Sequence, residues 1–193
     1  MNCLRDSVMI NNAQTHKVPK IIHQIWIGDM PDDIREYTRG IQEGNPNFTY
    51  KFWDDESLLE YNLLEIAEGS LAEAFTTNIL RMKILEEYGG IYIDCDCKFV
   101  KPLDELYEEY SDIDISSIFI RDISPDNGFI IAKKGLDYTP TLVDYVPTGP
   151  MAFYWQRMKP TIIQESKVGV GGSFVDDLRL NSWVQAYKDS INQ

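Results

Sequence analysis

The run Gly89-Gly90-Ile91-Tyr92-Ile93-Asp94-Cys95-Asp96-Cys97-Lys98-Phe99-Val100 restricts the fold of this chain more than any other stretch. Side chains alternate across a strand. Read as one strand from Ile91 to about Val100, the run puts Ile91, Ile93, Cys95, Cys97 and Phe99 on an apolar face. Tyr92, Asp94, Asp96 and Lys98 fall on the other. A helix is expected just before it, from about Thr76 to Tyr88. Leu80, Ile84 and Tyr88 form its apolar stripe, flanked by Ile79 and Leu85. Thr76 or Thr77 can cap it, and Gly89-Gly90 stops it. A buried strand fed by an amphipathic helix belongs in a layered α/β domain.

Other segments repeat that alternation. Val18 to Gly28 is a strand-length apolar run bounded by Pro19 and Gly28. A helix is expected over 32–43, after Pro31. Asn47 to Trp53 alternates as a second strand, ended by Asp54-Asp55, and 56–68 reads as helix. Pro102 to Tyr110 is expected to be helical, with Leu103, Leu106 and Tyr107 on one face. Ile115–Ile120 and Gly128–Ala132 read as strands joined by a Ser124-Pro125-Asp126-Asn127 turn. Residues 151–165 read as helix despite Pro160, Gly169 to Gly172 as a flexible loop, and Ser182–Lys188 as a short helix. Residues 1–17 form a polar arm, leaving 18–193 as one domain. In open α/β sheets the ligand sits beyond the carboxyl ends of the strands. The residues after Ile93 are therefore expected at the rim of a site.

Asp94 and Asp96 carry the chemistry of this reading. Two carboxylates leaving neighbouring pleats on one side raise each other's pKa unless a cation intervenes. Oxygen ligands suit hard ions, so Mg²⁺ or Mn²⁺ is the expected metal. An isolated Asp-x-Asp is common among solvated loop residues. The apolar strand, the Gly-Gly and the preceding helix give this one its weight. On that helix Thr77, Asn78 and Arg81 share a side. Arg81 is expected near the helix start, where it can meet a phosphate, a sugar hydroxyl, or Asp94 or Asp96 in a salt bridge. His23 reads as structural, and His16 has no identifiable partner.

Charge narrows the partners. The chain has 18 Lys and Arg against 31 Asp and Glu, a formal net charge of -13. Such a surface repels nucleic-acid phosphate and anionic lipid. A diphosphate ligand would need a local metal or arginine. The three cysteines, Cys3, Cys95 and Cys97, do not form a disulfide framework, and Cys95 and Cys97 read as small buried thiols. No stretch approaches a membrane span, and the first residues lack a signal-peptide core. These features lead to the expectation of an intracellular, cytoplasmic protein.

An ordered set of motifs then resembles a known family. It comprises Pro19-Lys20-Ile21-Ile22-His23-Gln24-Ile25-Trp26-Ile27-Gly28, Asn45-Pro46, Phe52-Trp53-Asp54, Asn78-Ile79-Leu80-Arg81 and Tyr88 through Asp96. It is similar to the sugar transferases with a DXD motif, glycosyltransferase family 32. That family includes initiating α-mannosyltransferases, capsule-synthesis transferases of polysaccharide biosynthesis and, more distantly, glucosylating toxins. The likeness is dense over 18–106 and thin through Asn127-Gly128-Phe129, Thr148-Gly149-Pro150 and Asn181-Ser182-Trp183.

The resemblance implies a GT-A fold with a mixed central sheet flanked by helices. It implies a UDP- or GDP-sugar donor, a glycan or other hydroxyl acceptor, and transfer with retention. By the same resemblance Trp26 stacks on the base, Thr77, Asn78, Arg81 and Tyr92 line the donor site, and Asp94 binds ribose or sugar. Asp96 ligates the metal, with Asp94, Asn181 and Ser182 as further candidates. Asn127, Gly149, Ser182 and Trp183 complete the donor pocket. Arg81, Asp94 and Asp96 are the expected catalytic residues, with no nucleophile nominated, because the departing phosphate can take the acceptor's proton. Similar proteins usually carry Asp where this chain has Asn78; Asn keeps an acceptor but loses the charge. That departure and a short C-terminal part leave a second reading, a catalytically weak or inactive nucleotide-sugar or carbohydrate-binding module. An Asp-x-Asp phosphatase or phosphotransferase fits less well, because there the pair lies at the first strand and a Thr or Val follows.

Overall fold

A computed structural model describes residues 17–59, 70–113, 117–121, 124–135, 162–169 and 172–178. For 70–76, 117–121, 124–127, 162, 165 and 166 it describes the backbone alone. Strand β1 (Ile21–Ile25) is followed by α1 (Asp32–Gly44), β2 (Thr49–Trp53) and the short α2 (Asp55–Leu58). Next come α3 (Ser70–Tyr88), β3 (Gly90–Ile93), β4 (Cys97–Phe99) and α4 (Asp104–Tyr110). The described part then continues through β5 (Ser117–Arg121), β6 (Ser124–Ala132), β7 (Ile162–Ile163), a helical turn at Glu165–Val168 and β8 (Val175–Asp177).

Six strands form one mixed sheet in the order β2-β1-β3-β6-β5-β7. β1 runs parallel to β2 and β3, and β6 runs antiparallel to β3 and β5. Helices cover both faces. On one, Ile22, Ile91, Ile93, Phe129 and Ile131 pack with Ile41 of α1 and Leu106, Tyr107 and Tyr110 of α4. On the other, Ile25, Trp53, Tyr92, Ile130 and Ala132 pack with Ile79, Leu80, Met82, Ile84 and Leu85 of α3. This is the α/β class and mixed, helix-flanked sheet that the sequence leads to.

The main departure lies in the acidic run. It is not one strand. β3 ends at Ile93, Asp94 to Asp96 turn, and β4 pairs with β8 in a separate two-stranded sheet. The turn closes with the Cys97 amide donating to the Asp94 carbonyl at 3.2 Å. Aspartate favours such turns. Alternation resumes after the break, so the period alone does not reveal it.

Other boundaries shift for local reasons. α3 begins at Ser70, ahead of the expected Thr76 or Thr77 cap. The Leu71-Ala72-Glu73-Ala74 stretch favours helix strongly enough to extend it upstream. Arg81 is therefore mid-helix, not at the start. Ser124 to Asn127 belong to β6 and not to a turn. Ile162–Ile163, expected to be helical, pair in parallel with β5 after Pro160. The remaining expectations over 1–16, 60–69, 136–161, 170–171 and 179–193 lie outside the described residues.

Gly89 and Gly90 are required at the start of β3. Both have positive φ, 64° and 114°. A Cβ on Gly90 would lie 2.6 Å from the Ile21 carbonyl oxygen. Only glycine lets β3 begin that close to β1.

Candidate active site

The parallel strands β2, β1 and β3 end at one edge of the sheet, and the candidate residues gather there. Tyr92, the third residue of β3, is fully buried against α3. Its hydroxyl donates to the Asp94 carboxylate at 2.8 Å. The Arg81 guanidinium lies over the Tyr92 ring, 4.4 Å from its centroid. It pairs with Asp94 at 3.2 Å and donates through Nε to the Thr77 carbonyl at 3.4 Å. The Arg81 side chain is only 6% exposed while that of Asp94 is 34% exposed. The cation is thus enclosed and its carboxylate opens to solvent. Burial pushes the Tyr92 hydroxyl well above its ordinary pKa, against the nearby Arg81 charge, so it stays a donor.

Asp96 sits elsewhere. The turn carries it to the small sheet, where Cys97 is paired with Asp177. The ligand atoms of Asp96, Cys97 and Asp177 lie within 4.8 Å of one another. Asp94 is not part of that group. The two aspartates therefore do not sit together as neighbouring pleats of one strand. Asp94 faces Arg81 and Tyr92, and Asp96 faces Asp177. Burial drives the Cys97 thiol well above its usual pKa, which keeps it protonated among the carboxylates. Cys95 and Cys97 are free and buried.

The structure brings together Arg81, Thr77, Tyr92 and Asp94. It places Asn78 half-buried on the same helix and Trp26 half-buried just past β1. The Trp26 indole N–H is buried and, among the described residues, has no hydrogen-bond partner. Buried donors normally find an acceptor. Asn127 lies on β6 beside Gly128, whose carbonyl accepts from the Asp94 amide at 2.8 Å. Gly149, Asn181, Ser182 and Trp183 lie outside the described residues. Reading the sequence missed Asp177. It falls in a short strand with no apolar pattern, and only the β4–β8 pairing brings it to Asp96.

Other motif residues are scaffold. His23 is buried; its Nε2 donates to the Gly89 carbonyl at 2.8 Å and its Nδ1 accepts from the Trp53 indole at 3.2 Å. Accepting at Nδ1 needs a neutral ring, and burial lowers its pKa to about 4 despite the Gly89 bond. The Asn45 side chain clasps the end of α1 to the approach to α4, donating to Ile41 and accepting from the Leu103 amide.

Parts of the chain are similar to known proteins. Residues 31–113 match the family model described as "Glycosyltransferase sugar-binding region containing DXD motif". This part of the chain is similar to the DXD-motif region of sugar transferases. An uncharacterized glycosyltransferase, L373, of Acanthamoeba polyphaga mimivirus is 33% identical over 89 residues, 41% of this chain and 36% of that protein. Inositol phosphoceramide mannosyltransferase 3 of Schizosaccharomyces pombe is 31% identical over 107 residues, 50% of this chain and 29% of that protein. The chain thus spans about a third of the length of these relatives. A solved structure titled "PaToxG Glycosyltransferase" is 19% identical with a TM-score of 0.47, covering 64% of this chain and 58% of that one. The matched residues contain the Asp-x-Asp sequence Asp94-Cys95-Asp96. Among the described residues no helix is long and apolar enough to cross a membrane.

Proposed function

We propose that this DXD region is the donor-binding part of a retaining, metal-dependent hexosyltransferase. It would use a UDP- or GDP-linked sugar and a hydroxyl of a glycan or glycoconjugate as acceptor. The observation that supports this most is the enclosed Arg81–Asp94 pair at the end of β3, followed two residues later by Asp96 in a carboxylate group with Asp177.

The second pair fits a divalent ion. Two carboxylates with ligand atoms within 4.8 Å offer hard oxygen donors of the kind Mg²⁺ and Mn²⁺ take. Asp96 and Asp177 would hold the ion, and an ion held there supplies positive charge against a leaving diphosphate. Asn181 and Ser182 are further candidates from beyond the described residues.

The chain's own groups do the rest. Arg81 is fixed by the Tyr92 ring and the Thr77 carbonyl, so it need not reorganise as charge grows on the leaving phosphate. Asp94, tied on one oxygen by Tyr92 and Arg81, presents its open side to ribose or sugar hydroxyls. Trp26 offers a ring at the strand end for the base, with a buried N–H that has no acceptor among the described residues. Asn78, Asn127, Gly149, Ser182 and Trp183 complete the proposed donor pocket. No base is needed on the far face, because the departing phosphate can accept the proton of the incoming hydroxyl. Mannose is the first sugar to try, since the fission-yeast relative is named a mannosyltransferase.

The test is nucleotide release. The protein is incubated with UDP- and GDP-sugars and Mn²⁺, with and without acceptor. Release that disappears in Asp96→Ala supports the enzyme. Metal-dependent binding without turnover in the unaltered chain would make it a binding module instead.

A further inference from the structure

Gln24 is fully buried near the end of β1, yet it is polar and points away from the His23 side of the sheet. Its amide nitrogen donates to the Asp94 carbonyl at 3.2 Å, and its amide oxygen accepts from the Tyr50 hydroxyl at 2.8 Å. The direction of this chain of bonds is forced. A carbonyl can only accept, so the Gln24 nitrogen must face Asp94. The oxygen then faces Tyr50, whose hydroxyl must donate. Burial raises the Tyr50 pKa far enough that the hydroxyl keeps its proton. Burying three polar groups between strands costs stability unless all are satisfied. Here they are satisfied, and their end point is the turn that separates Asp94 from Asp96.

We propose that Gln24, oriented by Tyr50, is a positioning residue for the Asp94–Cys97 turn and so for the Asp96 carboxylate. The inference rests on the proposed metal-dependent reading of Asp96. The Asp94 carbonyl takes two donors, the Gln24 amide and the Cys97 amide, both at 3.2 Å. The second of these is the bond that closes the turn. Gln24 therefore holds the carbonyl on which the turn is built, while the Asp94 amide is held by Gly128 of β6. Without Gln24 the carbonyl keeps only the bond within the turn, and the peptide plane can rock. Asp96 would then lose its fixed distance to Asp177. Groups one step behind a metal ligand commonly alter affinity about tenfold or more when removed.

The test compares Gln24→Met, Tyr50→Phe and the double variant with the unaltered chain. Two readouts are taken: amide hydrogen exchange at Cys97, which needs no metal, and Mn²⁺ affinity from the paramagnetic resonance of free Mn²⁺. Gln24→Met should speed Cys97 exchange and weaken Mn²⁺ binding about tenfold. Tyr50→Phe, which frees the amide to turn, should do the same to a smaller degree and serves if Gln24→Met does not fold. In the double variant both polar partners are gone, so the melting temperature should partly recover, while exchange and affinity stay impaired. Recovery of all three together would mean a packing role only and would overturn the proposal. Unchanged exchange in Gln24→Met would overturn it as well. An unaltered chain that binds no Mn²⁺ overturns the metal reading and the functional half of this inference, while exchange still decides whether Gln24 holds the turn.

Discussion

Asp94 and Asp96 are two residues apart, yet each is held by a different sheet. Asp94 stands at the end of the six-stranded sheet. Its amide, its carbonyl and its carboxylate are tied to β6, β1 and α3 through Gly128, Gln24 and Arg81. Asp96 stands at a two-stranded sheet of three residue pairs, where its carbonyl accepts from the Leu178 amide. Three elements flanked by a packed core fix the first carboxylate. A short pairing between distant pieces of chain fixes the second. Many tethers would suit the proposed role of Asp94, which is to keep one orientation toward a sugar. At Asp96, an ion bound as proposed would supply part of the order.

Four changes put that contrast at risk. The largest effect is expected at the Asp96 side. Asp96→Ala should lower Mn²⁺-dependent nucleotide release roughly a thousandfold, about 4 kcal/mol of barrier, with little change in melting temperature. A large stability loss would show that the small sheet carries structure and not chemistry. Next is the strongly held side. Gly90→Ala forces a side chain onto φ 114° and against the Ile21 carbonyl. It should cost roughly 3 to 4 kcal/mol in denaturant unfolding.

A third change is in pH. The folded pKa of His23 is about 4 against 6.5 for the free side chain. Between those values the unfolded chain binds the extra proton, so stability falls as pH drops through this window. The loss should reach about 3 kcal/mol by pH 4, at 1.36 kcal/mol per unit, and should be absent in urea titrations from pH 7 to 8. A flat profile from pH 6.5 to 4 would remove His23 from the scaffold of the strong side. The smallest effect is expected at the partner carboxylate. Asp177→Asn keeps the shape and one acceptor, and should weaken Mn²⁺ binding about tenfold in calorimetry. Unchanged affinity would separate Asp177 from the metal site.

Much of the strongly held side is legible in the amino-acid sequence. Gly89-Gly90 followed by an apolar triplet marks the start of a buried strand, because few other residues allow that backbone. The stripe of Leu80, Ile84 and Tyr88, flanked by Ile79 and Leu85, marks a helix that packs on it. The position of Arg81, two helical turns before the glycines, brings it back over Tyr92 and Asp94 by geometry alone. The helix start is less legible, because threonine caps compete with a run of good helix formers just upstream.

Residue order alone thus dictates the α/β layering, the structural place of His23, the burial of the Cys95 and Cys97 thiols, and the reach of Arg81 toward the acidic run. All of these follow from local period, backbone permissiveness and burial, which act over a few residues. Three features come instead from the packed molecule: the acidic run breaks into a turn, Asp96 faces Asp177, and Gln24 reaches the Asp94 carbonyl. Those contacts join segments far apart in the chain. Their register is set by how two sheets and their helices pack, and a pattern of alternating side chains carries no record of it.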